Sequence, residues 1–287
     1  MRLGLGLVKV RISAAATLSA LAVFVLASHG LSLRALPLGL GIFLLACGAC
    51  ALNQYQERGP DALMERTRGR PLPSGAVSPG QALAAAAILL AAGLLLVFRA
   101  AGSSGAVLAA AAVVWYDGVY TRLKRLTAFA VVPGALVGAV PPALGWLAAG
   151  RSWQDPKLLA LCFFFYLWQV PHFWLLVPAH AADLGRAGFP NLGPLLGRAR
   201  LARLTAVWMS FVAASALLLP VFRAVDSTAA VALLAAAAGC LTWQAARLLR
   251  SSGTADVFPP AFIGLNVFVL AVMVVIASDP FLAGRFF

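Results

Sequence analysis

The segment from Asn53 to Gly75 reads NQYQERGPDALMERTRGRPLPSG and concentrates charge in a chain that is otherwise mostly apolar. It directly follows an apolar run. If that run is a helix that continues, Asn53, Glu57 and Asp61 stand at i, i+4 and i+8 and share one helix face. Oxygen ligands at the mouth of a membrane helix suit Mg²⁺, which shares its remaining positions with water and substrate phosphates. A charged loop that only sets membrane topology is the alternative.

Arginines and prolines follow these acids in the same segment. Guanidinium groups suit phosphate because they bind its oxygens in a bidentate manner. Pro60 lacks a backbone N–H and clashes one turn back, so we expect the helix to end near it and Asp61 to reach the site from a loop. The arginines of the segment are Arg58, Arg66, Arg68 and Arg70.

Hydrophobic composition places the whole chain in a membrane. Of its 287 residues, 62% are hydrophobic and only 11% are charged. Apolar runs long enough to cross about 30 Å of hydrocarbon recur throughout, and such spans must be helical because lipid offers no hydrogen-bond partner to a bare backbone. We therefore predict an all-α, polytopic membrane protein that forms a single domain over residues 1–287. The nine predicted spans are about 12–29, 36–54, 81–98, 105–120, 128–149, 157–178, 203–223, 229–249 and 260–277.

The net charge of +13 is a feature of topology rather than of nucleic-acid binding. With nine spans and the N-terminus inside, most basic residues fall on the inner side, as the positive-inside rule requires. The first motif then faces the cytoplasm and the C-terminus lies outside. The inner basic residues are Arg2, Lys9, Arg11, Arg58, Arg66, Arg68, Arg70, Arg122, Lys124, Arg125, Arg186, Arg198, Arg200, Arg203, Arg247 and Arg250. The outer ones are Arg34, Arg99, Arg151, Lys157, Arg223 and Arg285.

The four cysteines carry little functional signal. Cys47 and Cys50 form a C-x2-C pair, but the second pair that a zinc site needs is missing. All four cysteines lie in predicted spans, where a free cysteine behaves as a small hydrophobic residue. We interpret them as packing residues; the other two are Cys162 and Cys240.

The first motif resembles that of the UbiA-type intramembrane prenyltransferases, and most closely their protoheme IX farnesyltransferase (heme O synthase) branch. That family reads N-x3-D-x3-D, and its heme branch continues D-x2-M-x-R-T-x2-R-P-L. Here the continuation is DALMERTRGRPL, starting at Asp61. The chain departs from the family at Glu57, which replaces an aspartate, and at Gly59-Pro60, where the heme branch often has another acid.

Three later elements extend the resemblance. YT-x2-KR, from Tyr120 to Arg125, is similar to the family's segment after its fourth helix. WQVPHFW, from Trp168 to Trp174, resembles a heme-branch element that contains a histidine. Asp183 opens a D-x2-R-A-G-x-P sequence that stands where other UbiA-type enzymes carry a second acidic motif. Asp117 lies one turn before Tyr120, and is either a ligand or the partner of a nearby basic residue.

The resemblance implies that the farnesyl group of farnesyl diphosphate is transferred to a vinyl group of heme B within a central apolar cavity, with Mg²⁺ as cofactor. It implies that Asn53, Glu57, Asp61 and Asp183 bind the metal and are catalytic. Diphosphate would contact Arg66, Arg70, Lys124 and Arg125. His172 is a candidate contact for heme, although a buried histidine is more often structural.

The expected surroundings are a bacterial-type inner or plasma membrane, with no nucleic acid. A heme A synthase or a terminal-oxidase assembly factor is a further candidate partner. Two alternatives stay open. One is the same fold acting on a quinone-precursor aromatic acceptor. The other is a non-catalytic transport or assembly protein, although the clustering of acids at one face favours a catalytic mouth over a transporter.

Overall fold

The computed structural model describes residues 6–251 and 253–284, and within these ranges it contains helices and no β-strand. Shorter π-helical and 3₁₀ turns link some of the α-helices. The α-helices are α1 (Val10–Ser28), α2 (Ala35–Leu63), α3 (Pro79–Val113), α4 (Thr121–Leu123), α5 (Val131–Gly134), α6 (Val140–Ala148), α7 (Pro156–Arg186), α8 (Leu192–Val221), α9 (Thr228–Arg250) and α10 (Phe258–Leu282). The other helical turns are the π-helix Val114–Tyr120 and the 3₁₀ turns Ala135–Ala139 and Ala255–Val257.

Eight stretches within the described ranges are long and apolar enough to cross a membrane. One of them, Pro79–Leu123, has 45 residues. A straight helix of that length would measure about 68 Å, roughly twice the hydrocarbon thickness. Gly102 divides it, because its backbone is left-handed (φ 67°, ψ −165°). The two arms form a hairpin, so the described chain contains the nine spans that the sequence predicts.

Close helix packing depends on small residues. Along α2, Gly41 and Gly48 face the first arm of α3, and Gly93 of that arm faces Leu45 in return. A larger apolar core joins α7, α8, α9 and α10, with Phe164 and Phe165 fully buried in it. Large apolar side chains cover much of the outer surface, as expected for helices surrounded by lipid rather than water.

Helix α2 continues through Pro60 to Leu63, so the expectation that Asp61 reaches the site from a loop was wrong. A proline within a helix removes the N–H that would bond to the carbonyl four residues earlier, here that of Gln56. Arg125 replaces the missing donor, since its Nη2 donates to the Gln56 carbonyl oxygen at 3.0 Å. The tertiary contact satisfies the carbonyl that Pro60 frees.

The end of the bundle opposite to Asp61 holds most of the basic residues that the sequence assigns to the outer side. Arg34 and Arg151 line a cavity of about 730 Å³ there. Lys157 and Arg223 line a smaller cavity beside it, and His29 contributes to both. The structure therefore places these four basic residues at the end of the bundle away from Asp61 and Glu57. Arg2, predicted on the inner side, and Arg285, predicted on the outer side, lie outside the described residues.

Replacement of Gly145 by alanine is expected to destabilise the protein by about 1–3 kcal/mol. A Cβ atom at this position in α6 would overlap the backbone carbonyl oxygen of Ala20 in α1, and backbone cannot swing aside as a side chain can. Gly239 in α9 is the matched control, because a Cβ there meets nothing within 4 Å. Thermal unfolding of both variants in detergent tests this; equal midpoints would contradict the close approach of α1 and α6.

Candidate active site

One face of α2 carries three buried oxygen-bearing side chains at the end of the bundle where the helix finishes. Asn53 and Asp61 are each 1% exposed and Glu57 is 7% exposed. Because α2 is continuous, these residues follow one another at one-turn intervals on the same face. The amide Nδ2 of Asn53 donates to the Thr121 hydroxyl oxygen at 3.0 Å, which links α2 to the end of the α3 hairpin.

Each of the two acids on this face is paired with a base from another segment. Lys124 Nζ lies 2.6 Å from Glu57 Oε1, and Arg70 Nη1 lies 2.7 Å from Asp61 Oδ2. Thr67 donates its hydroxyl to the backbone carbonyl of Asp61 at 2.8 Å and so folds the following loop back onto the helix. The two cations keep about a fifth of their side chains exposed, so they remain accessible to an anionic ligand.

Lys9 belongs to the same cluster as Asn53, Glu57, Asp61, Arg70 and Lys124, although the sequence predicts for it only a role in membrane topology. Gln54 Nε2 donates to the backbone carbonyl oxygens of Gly6 and Leu7, which ties the start of the described chain to α2. Lys9 Nζ consequently lies 3.5 Å from Asn53 Oδ1. Burial lowers the pKa of the Lys9 ammonium group. The only sequence signal was a basic residue directly before a membrane span, which topology alone would also explain.

Asp183, at the end of α7, holds the loop that follows α2. Its Oδ1 accepts the backbone N–H of Glu65 at 2.9 Å, and its Oδ2 accepts that of Arg66 at 3.3 Å. Arg186 Nη2 donates to the same carboxylate at 2.8 Å and also reaches Glu65. The carboxylate therefore sits beside the α2 cluster, but both of its oxygens already have hydrogen-bond donors.

The remaining predicted diphosphate contacts divide into two groups. Arg66 lies near the cluster, where partial desolvation and the positive charge of Arg70 lower its pKa without discharging the guanidinium group. Arg125 is exposed and donates to the Gln56 carbonyl, which gives it a structural contact instead. Of the predicted cations, Arg66, Arg70 and Lys124 therefore border the acidic face.

His172 lies apart from the acids, within α7 and eleven residues before Asp183, or about 16 Å along the helix axis. Its Nδ1 is 3.0 Å from Asn266 Oδ1. Since Asn266 Nδ2 donates to the Phe262 carbonyl, the amide oxygen is the group that faces His172, and Nδ1 carries the proton. Aromatic rings of Trp168, Phe173 and Phe262 surround the imidazole with centroids 5.0–5.5 Å away.

Cys47 and Cys50 behave as packing residues, whereas Cys162 is half-buried and Cys240 is exposed. All four are free, and Cys47 and Cys50 are buried. Cys47 Sγ contacts the Ser13 hydroxyl at 3.4 Å, which joins α2 to α1. Their burial agrees with the interpretation as small hydrophobic residues.

A metal ion at this end would need ligands beyond the polypeptide. Among residues 6–251 and 253–284, no three His, Cys, Asp or Glu side chains converge closely enough to hold a metal. The donors present are carboxylates and one amide oxygen, which match the preference of Mg²⁺ for a few oxygen ligands completed by water and phosphate. The side chains thus fit Mg²⁺ that arrives together with an anionic substrate, and do not form a closed metal cage.

A bundle of apolar spans with paired acids and bases at one end defines an integral-membrane protein whose polar end can bind an anionic group. The chain belongs to the UbiA prenyltransferase family, whose model matches residues 15–276. It is therefore an integral-membrane prenyltransferase, as the resemblance of the first motif implied.

The alignments with two curated relatives cover 63% and 97% of the chain. Protoheme IX farnesyltransferase from Oleidesulfovibrio alaskensis is 35% identical over 279 residues, which span 97% of this chain and 96% of the relative. The protein of the same name from Geobacter sulfurreducens is 43% identical over 182 residues, or 63% of this chain and 67% of the relative.

Solved structures of low sequence identity share the fold. A digeranylgeranylglyceryl phosphate synthase superposes with a TM-score of 0.77 at 16% identity, covering 97% of this chain and 98% of that protein. A UbiA homologue from Archaeoglobus fulgidus, bound to DMAPP and Mg²⁺, superposes with a TM-score of 0.65 at 15% identity, covering 96% and 99%. The helical arrangement is thus that of the family along nearly the whole chain.

Proposed function

We propose that this protein is a protoheme IX farnesyltransferase, which transfers the farnesyl group of farnesyl diphosphate to a vinyl group of heme B and yields heme O and diphosphate. The observation that carries the proposal is the full-length similarity to a relative of that name. In the reaction the allylic C–O bond breaks and its electron pair leaves with diphosphate. The vinyl group supplies the electrons of the new C–C bond, and water then adds to the resulting cation and loses a proton.

The acidic face of α2 and its cations form the diphosphate end of the proposed site. Mg²⁺, when bound, would neutralise charge on the departing diphosphate. We propose Asn53, Glu57 and Asp61 as its protein ligands, with Asp183 as a further acidic contributor. Lys124 and Arg70 now neutralise Glu57 and Asp61, and a diphosphate group that attracts these cations would release both carboxylates for the metal. Arg66 and Lys9 supply additional positive charge.

The aromatic cluster around His172 is proposed as the heme end. Because Nδ1 donates its proton to Asn266, Nε2 of the neutral imidazole carries a lone pair, which suits contact with a metalloporphyrin. The rings of Trp168, Phe173 and Phe262 suit a flat, apolar macrocycle. The apolar helices that surround this cluster would shield the allylic cation from water until the new bond forms.

The test is a transfer assay with the purified protein, labelled farnesyl diphosphate and several acceptors. We expect a prenylated product with heme B and none with 4-hydroxybenzoate or other quinone-precursor aromatics. Product with an aromatic acid alone would keep the protein in its family but overturn the proposed acceptor. Absence of product with every acceptor, while the relative from Oleidesulfovibrio alaskensis is active in parallel, would overturn the proposed function.

We further propose that the acidic end faces the cytoplasm of a bacterial-type inner membrane. Lys9, Arg70, Lys124 and Arg186 border this end. The opposite end gathers Arg34, Arg151, Lys157 and Arg223. A reporter that works only in the cytoplasm is expected to be silent when fused after Phe287. Strong activity of that fusion would contradict nine spans with an inner N-terminus.

A further inference from the structure

Asp117 is a buried acid that the proposed site leaves without a role. It lies on the π-helix Val114–Tyr120 and is only 4% exposed. Neither carboxylate oxygen has a hydrogen-bond partner within the described part of the chain. A buried carboxylate costs several kcal/mol when nothing compensates its charge. The group therefore needs either a proton or a cation that the polypeptide does not provide.

The position of Asp117 connects it to the acidic face of α2. The Thr121 hydroxyl donates to the carbonyl of Tyr116, the neighbour of Asp117, at 2.9 Å and accepts from Asn53 at 3.0 Å. The charged groups that act most strongly on Asp117 are those of Lys124, Lys9 and Glu57, all members of the cluster. A π-helical turn adds a residue to the helix and changes the direction of its side chains, and such turns are frequent at functional sites.

Asp117 differs from the three other acids at this end of the bundle, because each of those has a partner for its charge. Glu57 has Lys124 at 2.6 Å, Asp61 has Arg70 at 2.7 Å, and Asp183 has Arg186 and two backbone N–H groups. Within the described part of the chain, Asp117 alone among these four carboxylates has neither an ion-pair partner nor a hydrogen-bond donor. A cation that enters the cluster would gain most from the carboxylate that nothing else neutralises.

We propose that Asp117 is an additional ligand for the divalent cation of this site, acting with Asn53 Oδ1 and the Glu57 carboxylate. Two carboxylates and one amide oxygen make a set that Mg²⁺ accepts, with phosphate and water completing it. This inference rests on the proposed function in one respect, namely that the cation accompanies a prenyl diphosphate. It adds a metal ligand from the α3 hairpin to those on α2.

Binding of Mn²⁺, followed by electron paramagnetic resonance with and without inorganic diphosphate, tests the assignment directly. We expect Asp117→Asn to weaken Mn²⁺ binding by at least about tenfold. Glu57→Gln serves as the positive control for a metal-ligand loss. Asp256→Asn is the matched negative control, because it removes the same charge from an exposed acid in the 3₁₀ turn before α10.

Thermal unfolding without metal provides a second measurement. Without metal, Asp117→Asn should unfold at or above the wild-type midpoint, because the variant loses an uncompensated buried charge. Added Mn²⁺ should raise the midpoint of the wild type more than that of the variant. A lower midpoint for the variant would mean that the carboxylate is structural and would overturn the inference.

The possible results separate this inference from the proposed function. Wild-type affinity in Asp117→Asn, together with weakened binding in Glu57→Gln, would show that Asp117 holds a proton. The inference would then fail while the proposed function stands. If the wild type binds no Mn²⁺ even with diphosphate, the metal assignment of the proposed function fails as well.

Discussion

Asp61→Asn is expected to lower prenyl transfer by about 100-fold or more while the protein still folds. The side chain is buried and its Oδ2 lies 2.7 Å from Arg70 Nη1, so the substitution removes a metal-binding charge without changing the size of the group. Arg70 keeps a fifth of its side chain exposed, so it remains solvated without its partner. The rate of labelled farnesyl transfer, measured across a Mg²⁺ titration, checks this prediction.

Glu65→Gln is the control for Asp61→Asn. Glu65 follows α2 by two residues, but its side chain is 65% exposed and pairs only with Arg186 among the contacts of the described chain. We expect near-normal transfer from this variant, because exposed ion pairs contribute little. A near-normal rate for Asp61→Asn at ordinary Mg²⁺ would show that Asp61 is not required for the chemistry.

Asp183→Ala is expected to lower transfer by about 100-fold through the position of the loop after α2. The substitution removes the acceptors for the backbone N–H groups of Glu65 and Arg66, which hold the loop that carries Arg70. Hydrogen exchange at residues 65 and 66 should therefore accelerate. Transfer and exchange measured on the same preparation check both parts of the prediction.

Asp183→Asn separates anchoring of the loop from metal binding. The asparagine keeps one oxygen acceptor for a backbone N–H but loses the charge. Partial recovery of transfer and of exchange protection, relative to Asp183→Ala, would identify the residue as a positioning residue. Activity as low as that of Asp183→Ala with normal exchange protection would instead assign it to the metal.

The spans and the shared helix face of Asn53 and Glu57 were predictable because both depend on local properties of the chain. The number of apolar runs that are long enough to cross the hydrocarbon sets the number of membrane crossings. The spacing of Asn53 and Glu57 places them one turn apart on the same face of the helix that precedes Pro60. Gly102 marks the turn of the α3 hairpin because it adopts a left-handed backbone, which glycine does at no steric cost.

The continuity of α2 and the partners of the charged groups were decided by tertiary structure. Arg125, 69 residues from Gln56, satisfies the carbonyl that Pro60 frees and so allows the helix to reach Asp61. Lys9 enters the cluster because Gln54 holds the segment before α1, and Asp183 meets a loop 118 residues away. Spacing along a chain specifies which side chains share a helix face. It does not specify which distant donors reach them, because those contacts depend on how separate helices pack, and for the same reason only the folded chain leaves Asp117 without a partner.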